Sequence, residues 1–436
     1  MWTDRSRRRS WGRRPLALAA ALAMASGLLA ACGSSGKPTL TWYINPDSTP
    51  PAGFKGPFGQ AGIAARCSTA DYQIKVQTLP GDATQQRIQL ARRLAVKDKG
   101  IDLMSLDPVF TGEFANAGFL ATIPDDLTTQ LKSATLSGAL NGATWDGKLV
   151  VAPLWANTQL LWYRKSFAQK AGLDMSKPVT WDQIIKAASD NGGTVGVQAN
   201  KYEGYSVWVN ALIAGAGGSI IQDASAGEDA KITIDSDAGR SAAKVVSDLA
   251  HSKAAEPDLS VSNEGTVLGP FATDQGAFQV NWTFIYANYK ADKNTSSDLG
   301  WTRYPETVAG KPSRPPLGGI NIGINAASSH LADAVAATKC ITSEANQVEY
   351  AVETGNMPAR KAAYDAADLK KAYPTDLLEA FRDSIKAAAP RPVTPYWSDI
   401  SSAIQSTWHP PNSVSQSTPE KSASFIADVL KTRRLL

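Results

Sequence analysis

The sequence predicts an α/β fold spread over more than one domain, and three observations lead there. At 436 residues the chain is too long for one compact core. Its first third alternates strand-like and helix-like segments, the order that builds a parallel sheet flanked by helices. A second series of the same kind begins near residue 180. An apolar fraction of 43% with 19% charged residues belongs to a globular chain, not a disordered one.

The elements follow in order. Residues 39–44 (TLTWYI) read as a buried strand and 58–67 as a helix. Residues 72–79 alternate as a strand. Residues 84–96 form a helix with Ile88, Ala91, Leu94 and Ala95 on one face, and 101–106 (IDLMSL) a short apolar strand. Two strands, 149–153 and 159–163, bracket a break at 154–158. Then come a helix at 181–189 with Thr180 as N-cap, a strand at 194–198, and helices at 205–213 and 237–251. A strand at 277–280 ends in Asn281-Trp282. The Gly- and Pro-rich stretch 310–319 reads as a crossing segment before a strand at 320–324. Helices at 331–341 and 344–352 follow. Beyond Pro358 the chain is helical, broken at Pro374, Pro390, Pro392, Pro395 and Pro410-Pro411.

In open parallel sheets ligands gather at the carboxyl ends of strands. Asn45, Asp47 and Asp107 each sit just after a strand. Asp107 is equally well placed to cap the helix that starts near Pro108. Trp155, Trp162, Trp208, Trp282 and Trp397 lie near expected strand ends. Aromatic rings suit the C–H face of a sugar, and Asp, Glu, Asn and Arg suit its hydroxyl rim. Core packing is the competing use of each Trp.

Several functions are excluded or unsupported. The three His residues, His251, His330 and His409, are scattered, and no metal-ligand spacing is present. The G-x-S-x-G, G-x-x-x-x-G-K-[ST], H-E-x-x-H and G-x-G-x-x-G signatures are absent, and no cofactor is expected. No spacing marks a carboxylate pair for glycoside hydrolysis.

Residues 1–31 read as an export signal. Arg5, Arg7, Arg8, Arg9, Arg13 and Arg14 form a basic start with one Asp, a net of +5. Taking that from the +4 of the whole chain leaves −1, so no electrostatic case for nucleic acid survives. Residues 16–31 are an apolar run, shorter than the ~20 residues of a bilayer span. The run ends Leu29-Ala30-Ala31-Cys32, which resembles a bacterial lipobox and implies lipid on Cys32. A plain signal peptide with an incidental Cys is the alternative. Residues 32–37 would then be a linker, and Cys67 and Cys340 an even pair in an oxidising compartment. The Arg pairs leave the export route, general secretory or twin-arginine, open.

The segments KLVVAPLWANTQLLWYRKSFAQKAG, QGAFQVNWTF and GGINIGINAASSHLADA, after a lipobox, resemble the solute-binding lipoproteins of carbohydrate ABC importers. A closer likeness is to the receptors of trehalose-recycling importers. It is carried by LPGDATQQRIQLARRLA, DLMSLDPVFTGEFANAGF, VQANKYEGYSVWVNALIAGAGGS and RPVTPYWSDIS. Two stretches depart from that pattern: 292–311 is shorter, and NPDS at 45–48 differs.

The resemblance implies two α/β lobes around a cleft, 38–155 with 319–355 and 156–318 with 356–436. It implies an interlobe pocket for a disaccharide, trehalose first and maltose as another α-glucoside. The matching residues are Asp107, Asn157, Trp282, Gly319 and Arg391, with Glu203, Glu264 and Asn45 beside them. It implies a monomer that serves a permease and an ATPase, is anchored by lipid on the outer face of the cell membrane, and makes or breaks no bond. It brings the helices bearing Cys67 and Cys340 together, as a disulfide or as two thiols. Asp107 and Arg391 are expected on opposite lobes, hydrated until sugar bridges them. A salt bridge fixing the helix after Pro395 is the alternative for Arg391. A lipid-anchored envelope glycoside hydrolase is the rival function.

Overall fold

The computed structural model describes residues 36–50 and 53–432. The leader and Cys32 lie outside the described residues. The main sheet has eight strands: β1 (Thr39–Ile44), β2 (Gln73–Thr78), β3 (Leu103–Leu106), β4 (Ala152–Arg164), β5 (Thr194–Gly196), β6 (Gly276–Trp282), β7 (Leu299–Thr302) and β8 (Leu317–Ile324). Their order is β2-β1-β3-β8-β4-β6-β5, with β7 paired to β4 off that path. The strands β2, β1 and β3 are parallel, as the alternation predicts. The sheet as a whole is mixed, because β8 runs antiparallel to both β3 and β4.

The principal helices are α1 (Gly59–Cys67), α2 (Ala83–Ala95), α3 (Trp181–Asn191), α4 (Glu203–Gly215), α5 (Asp237–His251), α6 (Leu331–Ile341), α7 (Glu344–Thr354), α8 (Thr375–Ala387), α9 (Trp397–Trp408) and α10 (Thr418–Leu430). Thr180 caps α3 in a reciprocal box with Gln183. On α2 the buried stripe is Gln86, Leu90 and Leu94, while Ala95 is exposed. The i, i+4, i+8 row therefore runs one residue away from the expected face.

The clearest departure from the sequence reading is β4. Two short strands with a break at 154–158 are expected; one 13-residue strand is found, buried from Ala152 to Trp162. Here the Thr158 hydroxyl donates to the Pro316 carbonyl at 2.8 Å, so the buried polar group is satisfied inside the strand. The stretch 310–319 is likewise shorter as a loop than expected, because β8 starts at Leu317 and pairs with Thr158. The N-terminal half of β4 pairs with β8, and its C-terminal half with β6 and β7. One strand thus joins two sheet regions.

The core is largely continuous. A large apolar cluster runs through β1, β3, α3, α4 and α9, and a second one gathers Trp162, Phe271, Ile285 and Phe381 beside β4. Cys67 at the end of α1 and Cys340 in α6 form a disulfide, with Cα atoms 5.7 Å apart. Among the described residues no helix is long and apolar enough to cross a membrane, and no cluster of His, Cys, Asp or Glu could hold a metal ion.

Candidate ligand-binding cavity

Parallel pairing of β1 and β3 brings their carboxyl ends to one edge of the sheet. Asn45 and Asp47 leave β1 there, and Asp107 leaves β3. Because β8 is antiparallel, its start reaches the same edge, where Gly318 pairs with Asn157 and Gly319 with Ala156. Side chains alternate along β4, so Trp155 and Asn157 share a face while Ala156 points the other way, into a small apolar cluster. Trp282 ends β6 and Glu203 opens α4. Arg391 lies in the segment between α8 and α9. All eight expected site residues line one cavity of about 710 Å³. That size is ordinary for a small-molecule site.

Two glycines shape its wall. Gly319 has φ +142°, and a Cβ there would meet the Trp155 carbonyl oxygen at 2.3 Å. A Cβ on Gly318 would lie 2.6 Å from the Trp282 ring and 2.7 Å from the Asn157 amide oxygen. The glycine pair lets the Trp282 indole lie against the β4–β8 backbone.

An ionic triad forms part of the cavity wall. Arg391 Nη1 donates to Glu203 Oε1 at 2.7 Å and Nη2 to Asp107 Oδ1 at 2.8 Å. The Arg391 and Glu203 side chains are each 3% exposed. Glu203 also accepts from Trp397 Nε1 at 2.8 Å and Ser401 Oγ at 2.6 Å. Burial alone would lower the Arg391 guanidinium; Asp107 and Glu203 more than offset it and hold the group charged. Burial raises the Glu203 carboxyl, against the pull of Arg391 and Ser401. The expectation that Asp107 and Arg391 stand hydrated is corrected here: burial leaves Arg391 no water, so it takes two carboxylates instead. Asp107 also takes its expected cap role, since Oδ1 accepts from the Val109 N–H and caps a short 3₁₀ turn. The salt bridge of Arg391 is real, but its partners are Asp107 and Glu203.

Elsewhere on the wall, Glu264 accepts from the Tyr202 hydroxyl at 2.7 Å. Asp47 accepts from the Tyr350 hydroxyl at 2.6 Å and the Gln60 N–H at 2.7 Å, and burial raises its carboxyl above the usual range. Asn45 Oδ1 accepts from Gln60 Nε2 at 3.2 Å. Trp155 stacks on Tyr350 with ring centroids 4.8 Å apart. Of the five Trp candidates, Trp155 and Trp282 reach the cavity. Trp162 and Trp208 are core, and Trp397 acts through its bond to Glu203. Sequence reasoning missed Gln86, Tyr202, Phe284, Asn288 and Asn356 on the wall. Tyr202, Gln86 and Phe284 sit inside the segments that carry the resemblance; Asn288 and Asn356 have no local signal.

A mixed α/β fold whose strand ends close around a polar, aromatic-walled cavity defines a binding protein for a small polar solute. The model of the bacterial extracellular solute-binding protein family matches residues 45–348, and this chain belongs to that family. A probable ABC transporter-binding protein of Deinococcus radiodurans is 24% identical over 332 residues, covering 74% of this chain and 76% of that protein. Among solved structures, maltose-bound MalE3 of T. maritima superposes with a TM-score of 0.78 at 24% identity, covering 91% of this chain and all of that one. UgpB from Mycobacterium tuberculosis, in complex with glycerophosphocholine, gives 0.73 at 19% identity over 91% of this chain and 100% of its own. The shared architecture is the two-lobed one of maltose-binding-protein-like receptors.

Proposed function

We propose that this chain is the receptor of a carbohydrate ABC importer. It holds a disaccharide, trehalose or a related α-glucoside such as maltose, in the cavity and hands it to the permease as a monomer without cleaving it. The observation that carries the reading is the convergence of Asn45, Asp107, Asn157, Glu203, Glu264, Trp282, Gly319 and Arg391 on one wall. These residues come from segments far apart in sequence and are the ones the family resemblance singles out. Trp282 and Trp155 offer faces to a sugar ring, Asn157 offers an amide, and Asp107 an oxygen at the rim. The maltose seen in MalE3 fits this ligand class.

The reading divides the molecule into lobes of 38–155 with 319–355 and 156–318 with 356–436, so the cavity lies between them and closure encloses the ligand. It also places a lipid on Cys32, holding the mature chain at the outer face of the cell membrane. Titration calorimetry of the chain with trehalose and with maltose, followed by chromatography of the recovered sugar, is the test. Heat of binding with intact disaccharide supports the reading; released glucose assigns a hydrolase instead, and no heat with either sugar removes the disaccharide.

A further inference from the structure

The four carboxylates of the cavity wall have different company. Asp47 takes the Tyr350 hydroxyl and two donors of Gln60. Glu203 takes Arg391, Trp397 and Ser401, and Asp107 takes Arg391 and a backbone N–H. Asp47 and Glu264 both have only neutral company, but Asp47 is held by three donors, whereas Glu264 has the Tyr202 hydroxyl and the Trp282 side chain, and its charged neighbour is Asp82, of like sign. Among the described residues Arg391 is the only cation on the wall, and both its terminal nitrogens are already paired. Its Nε is buried without a partner. A ligand in the cavity therefore meets a cation that is already paired and, at Glu264, a carboxylate that no cation balances.

We propose that Glu264, with the Tyr202 and Trp282 rings beside it, is a cation subsite, and that the cavity prefers a glycoside bearing a protonated amine over neutral and anionic glycosides. This rests on the small-glycoside reading above. An ammonium carries three donors and a full charge, and Glu264 supplies a carboxylate that neither a cation, as at Asp107 and Glu203, nor three protein donors, as at Asp47, already satisfies. Electron-rich rings add to the attraction for a cation. Burial raises the Glu264 carboxyl while Tyr202 and Trp282 pull it down; a cation held beside it favours the ionised form further. A phosphate or carboxylate on the ligand would meet four carboxylates and no free cation.

The test is calorimetry of the full chain at pH 6.5 with trehalose, with 2-, 4- and 6-amino-deoxytrehalose, and with trehalose 6-phosphate. At least one amine binds about tenfold more tightly than trehalose, and the phosphate about tenfold more weakly. In Glu264→Gln the ratio of amine to trehalose affinity falls to about one, whatever happens to the absolute values. Should that variant not fold, the wild-type ratio is followed as salt rises from about 0.02 to 0.5 M, where an ion pair loses most of its advantage. Amines no tighter than trehalose, a ratio unchanged in Glu264→Gln, or a salt-independent ratio overturns the subsite. Trehalose binding without an amine preference removes the subsite alone; binding of none of the probes removes the glycoside reading with it. Amine binding without trehalose binding keeps the subsite and removes the neutral disaccharide.

Discussion

At Arg391, on one part of the cavity wall, a cation meets two carboxylates; at Glu264, on another, a carboxylate meets only neutral donors. The two parts are about equally polar in sequence, yet they do different work. The triad of Asp107, Arg391 and Glu203 ties the end of β3, the segment before α9 and the start of α4 together. It fixes the wall, and most of its bonding capacity is spent within the protein. Glu264 contributes little to the frame and keeps its charge for something outside the chain. A buried charge that is paired is chiefly architecture; a half-buried one that is not is available for recognition.

The largest effect comes from breaking the paired part. Arg391→Met leaves Glu203 buried beside Asp107 with no cation. It should cost about 3–5 kcal/mol in chemical denaturation, whereas Glu264→Gln should change the same measurement by less than about 1 kcal/mol. Equal losses would erase the contrast between the two parts.

Next in size is a control far from both parts. Replacing Cys67 and Cys340 together by Ser removes a cross-link between α1 and α6. The expected loss is roughly 2–4 kcal/mol, from restored freedom of the unfolded chain, with ligand discrimination unchanged. A shift in discrimination measured by calorimetry would show that the α1–α6 contact also shapes the cavity.

Trp282 sits beside Glu264 and packs on Gly318. Trp282→Ala should weaken disaccharide binding about 10- to 100-fold, through lost ring contact of roughly 1.5–3 kcal/mol, and remove most of the ligand-dependent change in Trp fluorescence. Retained affinity and an unchanged signal would return Trp282 to a packing role.

The smallest expected effect sharpens the comparison from outside the cavity. Glu256 is 3% exposed, has one oxygen without a partner, and meets no cation. Burial, helped by Asp258, raises its carboxyl from 4.5 to about 8. The folded chain therefore holds a proton that the unfolded chain releases near pH 4.5. That stability is complete below about pH 4.5 and is lost as pH rises through 8. Urea midpoints at pH 5 and pH 9 should show wild type losing on the order of 1–3 kcal/mol relative to Glu256→Gln. A gap that does not change with pH would mean that Glu256 is ionised throughout.

Much of this was legible in the chain itself. Strand–helix alternation gives the parallel β2-β1-β3 unit, and strand ends point to Asn45, Asp47 and Asp107. The order of several motifs brings in Glu203, Glu264 and Arg391, which no local pattern would connect. What sequence hides is pairing across distance. The continuity of β4 depends on Pro316 answering Thr158, and the dryness of Arg391 depends on Trp397 and Ser401 already holding Glu203 in place. Asn356 reaches the wall through a chain turn that no periodicity marks.

The sheet order has a consequence for how the chain is made. β3 ends at Leu106, and its second edge is covered by β8, where Asn321 pairs with Leu106. A ribosome or export channel releases the first three strands long before their cover. Through that interval the 103–106 edge carries unanswered backbone donors and acceptors, an open template for another chain. The first region to emerge is thus finished only after most of the second has been delivered. Substitutions that slow the arrival or docking of residues 317–324 should show up as lost yield and aggregation, even where the finished receptor is as stable as wild type.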